Sequence, residues 1–333
     1  MSTPTSRVLK LLLEAQGPRS GQEMGRLLGC SRAAVGKAVA NLRQRGFAIE
    51  ARPRAGYLLV AEPEAVLAER VEARLPEGCL GRPLLHYQTI DSTNLEARRL
   101  AEAGAAHGAC LCAEHQSAGR GRLGRAWQAP VGASLLFSLL LRPVDLPVDL
   151  VFLLNNVVSL AVCRAVEGLC GLRAMVKWPN DVFLDGRKLV GVLTEFTCRA
   201  DRIDHVVVGA GLNVNWSPED LAMLPAPAAS LLAASGRRWD RAVLLAAILR
   251  QADALYASLL AGQLEALRDE YQRQSLLLGR QVTIDDGGAL VGGQVAGFEP
   301  DGALRLSTGP GRVRIVRHGD VSLKSIAGLE GRE

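Results

Sequence analysis

The chain lacks any long uninterrupted apolar run. Residues 150–166 come nearest, but Asn155, Asn156 and Arg164 interrupt them, so no membrane-spanning helix is expected. Met1–Pro18 carries Arg7, Lys10 and Glu14 where a signal peptide needs an apolar stretch, and a cytoplasmic protein is expected. The seven cysteines are odd in number and form no CxxC pair, which favours neither a disulfide framework nor a zinc site. Cys110 and Cys112, two apart in an apolar run, read as small buried side chains. No HxxxH or HExxH spacing is present, and neither a GxSxG elbow nor a Walker A sequence occurs. Catalytic zinc, elbow-type serine hydrolysis and P-loop nucleotide binding are thereby set aside.

What is present is unevenly distributed. Residues 1–60 hold ten Lys/Arg and three acids, a net charge of +7; the remaining 273 residues hold 29 basic and 31 acidic residues, a net of −2. A polyanion-binding module joined to a near-neutral body is the reading. Ser6–Ala15 and Ser20–Leu28 read as helices, and Ser31 caps a third that runs to Arg45, with Val35, Ala38, Val39 and Leu42 on one face. Phe47–Ala51 and Gly56–Val60 read as strands around the basic turn Arg52-Pro53-Arg54. This order is that of a winged helix-turn-helix. Its outward residues on the third helix are Ser31, Arg32, Ala33, Gly36 and Lys37, and Arg52 and Arg54 on the wing face phosphates or the minor groove. A basic bundle used for protein contacts is the alternative. Glu62–Arg74 reads as a linker or connecting helix.

Between 84 and 273, strand-like runs (84–89, 109–115, 134–141, 174–177, 181–184, 188–196, 205–211) mix with helical ones (95–102, 150–168 and 241–273, the last continuous or broken once). Hairpin-sized links, Asp185-Gly186 among them, favour an α+β domain over a doubly wound parallel sheet. Gly119-Arg-Gly-Arg-Leu-Gly-Arg-Ala-Trp127 satisfies GxGxxG, but Pro130 and Gly132 follow at once, so no helix opens there and a dinucleotide fold is excluded. Glycines interleaved with Arg120, Arg122 and Arg125 fit instead a loop that folds over an anionic ligand, with Trp127 free to stack on a base or pack on the loop. Asp91-Ser-Thr-Asn94 lies at a strand-to-helix junction, where it either caps the helix or helps bind an anion. Lys177-Trp-Pro-Asn-Asp181 presents Lys177, Asn180 and Asp181 at a sheet edge; Asp181 is either a water-mediated Mg²⁺ holder or an ordinary turn aspartate. Lys188 follows a turn, the usual place of a solvated lysine. Asn213, ending a strand, has an amide suited to phosphate or ribose.

Together, DSTN at 91–94, EHQSAGRGRLGRAW at 114–127, KWPND at 177–181, RKLVGVL at 187–193, GAGLNV at 209–214 and GDVSLK at 319–324 make the chain resemble the larger bacterial biotin protein ligases, which carry a DNA-binding domain and double as biotin operon repressors. The resemblance implies an α+β multidomain fold: a winged helix-turn-helix in 1–62, a central mixed-sheet, class II synthetase-like ligase domain in 63–274, and an SH3-like C-terminal β-barrel in 275–325. It places biotin against Ser92, Thr93, Asn94, Gln116, Arg120, Gly121, Arg122 and Lys188, with Arg122 and Lys188 catalytic. Trp127, Lys177, Asn180 and Asn213 then lie near the nucleotide, and Asp181 near Mg²⁺. ATP and Mg²⁺ are the implied cofactors. The implied partners are biotin, the biotin carboxyl carrier protein of acetyl-CoA carboxylase, operator DNA, and a second copy of the chain when the adenylate is bound. Short strand candidates at 281–284, 292–298, 303–306, 313–316 and 321–323 suit the barrel.

Overall fold

The computed structural model describes residues 3–321. The N-terminal basic segment forms α1 (Pro4–Leu13), α2 (Gly21–Leu28) and α3 (Arg32–Gln44), followed by the hairpin β1 (Ala48–Arg52) and β2 (Gly56–Ala61). Each helix is started by a hydroxyl: Thr3, Ser20 and Ser31 accept from Ser6, Gln22 and Ala34 N–H respectively. The predicted apolar positions of α3 are all buried, and they pack with Val8, Leu9, Leu12 and Met24 in a core of their own. Tyr57 N–H and C=O pair with Arg19 in an isolated antiparallel bridge, which ties the wing to the segment before α2.

The connector, readable as linker or helix, is only partly helical. Only α4 (Ala68–Glu72) is helical, and the residues before it are irregular, with a bend at 64–65. The reason is visible in the packing. Val66, Val71 and Leu75 enter the central core, whereas Leu67 and Ala73 enter the N-terminal one. A segment shared between two cores has no single apolar face, so helical periodicity does not apply.

The central unit is built on a seven-stranded mixed sheet. Its strands are β3 (Leu84–Tyr87), β4 (Cys110–Ala113), β5 (Ser134–Leu141), β6 (Met175–Lys177), β7 (Asp181–Leu184), β8 (Arg187–Arg199) and β9 (Arg202–Asn213), in the order β3-β4-β5-β9-β8-β7-β6. Only β3 and β4 are parallel. One face carries α5 (Thr93–Glu102), with Ala97 and Ala101 over Leu111, Leu140 and Val207. The other carries α6 (Leu153–Cys170) and α9 (Arg241–Leu260), which pack on each other. Both helices are long and apolar enough to cross a membrane, but 72% and 56% of the respective windows are buried within the fold, so core packing accounts for their composition. Two short helices, α7 (Pro218–Ala222) and α8 (Leu231–Ser235), precede α9; the predicted 241–273 helix breaks at Gly262, and α10 (Leu264–Arg273) completes it.

A five-stranded antiparallel sheet follows, formed by β10 (Gln281–Asp286), β11 (Ala289–Phe298), β12 (Leu304–Gly309), β13 (Arg312–Val316) and β14 (Asp320–Val321) in the order β13-β12-β11-β10-β14. It is compatible with the expected barrel. Residues 322 and 323 of the last expected strand, and the end of the GDVSLK motif, lie outside the described residues.

Candidate active site

Alternation along β9 sets the floor of the site. Val206, Val208, Ala210 and Leu212 point into the α6/α9 core, which turns Gly209, Gly211 and Asn213 to the opposite face. Gly211 pairs in register with Gly191 of β8. The Trp127 indole lies across this pair: a Cβ on Gly211 would stand 2.4 Å from the ring, and one on Gly191 2.9 Å. A Cβ on Gly209 would collide with the Asn94 amide. These three glycines were not singled out from sequence, although a glycine inside a strand signals close approach of another group.

Above the floor is a cavity of about 900 Å³. Every residue assigned by motif to biotin, nucleotide or metal lines it, Ser92, Thr93 and Asn94 as well as Lys177, Asn180 and Asp181. Two further walls were not assigned to the site from sequence: Leu224–Ala228 after α7, and Asp285, Asp320 and Val321 from the C-terminal sheet, the last two within the GDVSLK motif.

The helix-capping reading of 91–94 needs correction. Ser92 occupies the N-cap position of α5 but makes no capping bond. Gln116 Oε1 instead accepts from Thr93 N–H (2.7 Å) and from the Thr93 hydroxyl (3.0 Å). Asn94 donates to Leu193 O (3.2 Å) and Glu195 Oε2 (2.9 Å), and Ser138 Oγ lies 2.6 Å from its Oδ1. Asn94 is therefore a strut between α5 and the sheet.

The cations are held individually. Arg122 donates to Asn180 Oδ1 (2.8 Å) and to Gly319 O (3.1 Å). Asn180 is fixed in turn by its own bond to Val192 O, so it orients the guanidinium. Lys188 Nζ lies 2.8 Å from Asp181 Oδ1, outside hydrogen-bond geometry, which makes the contact an ion pair; it also sits 5.6 Å from the Trp127 ring centroid. Lys188 is thus not the free surface lysine that its place beside a turn suggests. Lys177 is buried and donates to Val321 O at 2.6 Å. Burial pushes its pKa below the ordinary lysine range, with Asp181 and Asp320 opposing the shift. Arg120 pairs with Glu195, and Arg125 with Asp320. Asn213 spends its Nδ2 on Ala229 O, which ties the 224–229 wall to β9.

Within the arginine-glycine loop the glycines are unequal. Gly119 is required, because a Cβ there would meet Trp127 O at 2.3 Å, and Gly124 has φ +73°. Gly121 has ordinary room for a side chain. The non-glycine Leu123 also takes positive φ (56°) and is largely exposed. The residues expected to face DNA are exposed, apart from Gly36, which is half-buried beside Tyr57. Arg32, Lys37 and Arg54 have no ion pair or side-chain hydrogen bond among the described residues, whereas Arg52 pairs with Glu50 at 3.2 Å.

Residues 86–213 match the biotin/lipoate A/B protein ligase family, and residues 5–58 match an HTH domain. The bifunctional ligase/repressor BirA of Bacillus subtilis is 32% identical over 305 residues, covering 91% of this chain and 93% of the relative. The protein of the same name from Escherichia coli is 31% identical over 320 residues, covering 95% and 97%. The solved biotin protein ligase from Aquifex aeolicus in complex with biotin and ATP superposes with a TM-score of 0.61 at 28% identity, covering 72% of this chain and 98% of that one. These matches define a ligase domain joined to a helix-turn-helix. The chain belongs to the bifunctional ligase/repressor family of biotin protein ligases.

Proposed function

We propose that the cavity binds biotin beside ATP, forms biotinyl-5′-AMP and passes the biotinyl group to a lysine of the biotin carboxyl carrier protein of acetyl-CoA carboxylase. The observation that carries this reading is the convergence of Arg122, Lys188 and Lys177 above a floor cleared of side chains by Gly191, Gly209 and Gly211. In the first half-reaction a biotin carboxylate oxygen attacks the α-phosphorus of ATP, and the bond to pyrophosphate breaks. Two anions must meet, so charge neutralisation supplies most of the catalysis. Arg122 and Lys188 do this by exchanging Gly319 O, Asn180 and Asp181 for ligand oxygens. In the second, a neutral lysine amine attacks the activated carbonyl, AMP leaves and the amine sheds a proton. The loop over the cavity keeps water from the mixed anhydride.

The described residues contain no cluster of three or more His, Cys, Asp or Glu side chains able to hold a metal. Asp181, which lines the cavity beside Lys188, is the carboxylate we assign to Mg²⁺ arriving on the ATP phosphates. When bound, the ion supplies further charge neutralisation on the phosphates.

The proposed division gives residues 1–62 to DNA, 63–274 to the chemistry and 275–325 to the barrel. Ser31, Arg32, Ala33, Gly36, Lys37, Arg52 and Arg54 form the DNA face. Biotinyl-AMP acts as corepressor by favouring a homodimer that binds operator DNA. Beyond Val192, whose backbone bonds to Asn180, the outer edge of β8 has no partner strand among the described residues, which supports edge pairing with a second copy, in competition with the carrier. The protein works in the cytoplasm. Incubation with labelled biotin, ATP, Mg²⁺ and a carrier domain should label one lysine; no label on any carrier would overturn the reading. Because the matched family also includes lipoate ligases, pyrophosphate release should be measured with each acid, and biotin should be the one that supports it.

A further inference from the structure

The ligand loop leaves the sheet at Glu114 and returns at Gly132, where the Gly132 N–H donates to the Glu114 carbonyl at 3.1 Å. The steps above do not use the Glu114 side chain, yet it is 4% exposed and fully engaged. Its Oε2 accepts from Arg241 Nη1 at 2.6 Å; its Oε1 accepts from Val66 N–H at 2.9 Å and lies 3.1 Å from His86 Nε2. Burial pushes this carboxyl's pKa up, but the His86 and Val66 hydrogen bonds and the Arg241 charge outweigh it and hold it at about 2. Arg241, also buried, reaches on to Ser134 O (3.2 Å) and Glu64 O (3.4 Å). One buried ion pair therefore holds the exit of the ligand loop, the start of β5 after its return, and residues 64 and 66.

Residues 64 and 66 belong to the connector of the N-terminal module. Val66 packs in the central core and its neighbour Leu67 in the helix-turn-helix core. A few residues on, Glu72 repeats the arrangement: Ser6 of α1 donates to its Oε2 (2.8 Å) and Leu84 N–H of β3 to its Oε1 (3.2 Å). The connector is a packed piece of both cores rather than a tether. A displacement at the loop base consequently has a short route to the DNA-binding module, through the hydrogen bond to Val66 and then the apolar packing of Leu67.

We propose that Glu114 is a positioning residue that joins the base of the ligand loop to the connector, so that loop ordering by ligand is felt at residues 62–67 of the same chain. This adds an intramolecular link to the dimer-based control above, and it rests on the assignment of the cavity to biotin and ATP. Linkage makes the effect reciprocal: a connector held in place favours the ordered loop.

Hydrogen exchange on the full chain, with and without biotin plus Mg-ATP, tests it. The ligands should slow exchange in residues 115–131 and also slow it about tenfold at Val66, the scale of a buried amide bond to a charged acceptor. In Glu114→Gln the loop should still gain protection while Val66 loses its ligand response. A purely structural role for Glu114 would raise exchange at Val66 equally with and without ligand. Protection confined to the loop in the unaltered chain, or an unchanged Val66 response in Glu114→Gln, overturns the proposal. Should the variant not fold, the unaltered chain decides alone. Absence of protection in 115–131 itself would contradict the cavity assignment, and the proposal with it.

Discussion

The chain carries two cation-rich surfaces, and they are built in opposite ways. On the N-terminal module Arg26, Arg32, Lys37 and Arg54 stand without ion-pair or side-chain hydrogen-bond partners among the described residues, and Arg52 has only the exposed Glu50. In the cavity every cation has one: Arg122 with Asn180 and Gly319, Lys188 with Asp181, Lys177 with Val321, Arg120 with Glu195 and Arg125 with Asp320. Free, exposed charges suit a long polyanion met through water, where the interaction is broad and screened. Partnered charges in a partly closed site suit one small anion in one pose, since the groups are already oriented and need only exchange partners.

The sharpest break of the cavity side is Lys188→Ala. It removes one charge at the reacting centre and the ion-pair partner of Asp181. By analogy with oxyanion donors the loss is ~2–4 kcal/mol, or about 30- to 10³-fold in adenylate formation. A normal rate, followed as pyrophosphate release, would return Lys188 to a purely structural pair with Asp181.

Salt sharpens the contrast directly. About four released counterions imply that non-specific DNA affinity falls on the order of 10²-fold between 50 and 200 mM salt. Adenylate formation should change less than about threefold over the same range, because partly buried pairs are poorly screened. Equal sensitivities, measured by titration and by pyrophosphate release, would remove the distinction between the surfaces.

Trp127 and its glycine floor come next. Trp127→Ala should weaken ATP more than biotin, by roughly 1–3 kcal/mol on the scale of base–aromatic stacking. Gly211→Ala should displace the same ring, since its Cβ would stand 2.4 Å from the indole. The double variant should then lose much less than the sum of the singles. Additive losses, or equal losses for both ligands, would mean that the ring supports the loop only. A smaller effect, about tenfold, is expected in Arg122→Gly as faster escape of biotinyl-AMP, seen as unselective labelling of bystander lysines. Unchanged retention would deny the loop its covering role.

The two regions also differ in how far the sequence discloses them. The helix-turn-helix is local: Ser31 as cap and Val35, Ala38, Val39 and Leu42 as one face follow from spacing alone, and the structure has the same pattern. The motif-bearing residues of the cavity were legible as residue types. Their partners were not. Arg122 finds Gly319 197 positions away, and Glu114 finds Arg241 127 positions away; nothing in local periodicity selects such pairs. The connector reads as either a linker or a helix for a related reason: Val66 and Leu67 are buried side by side in different cores, so no single apolar face marks it. Gly191 and Gly211 were readable in principle, as glycines inside strands, but their purpose appears only once Trp127 is seen lying across both.

What unites the two surfaces in this account is one product, biotinyl-AMP, made at the partnered site and reported at the free one. The direct test is a gel-shift titration of the full chain on the upstream region of biotin-synthesis genes, at fixed salt, with and without biotin plus Mg-ATP. A specific shift that requires both ligands, and that a form lacking residues 1–61 cannot give, is the predicted result. A specific shift of equal affinity without ligand would contradict the coupling and leave a ligase with a constitutive DNA-binding arm.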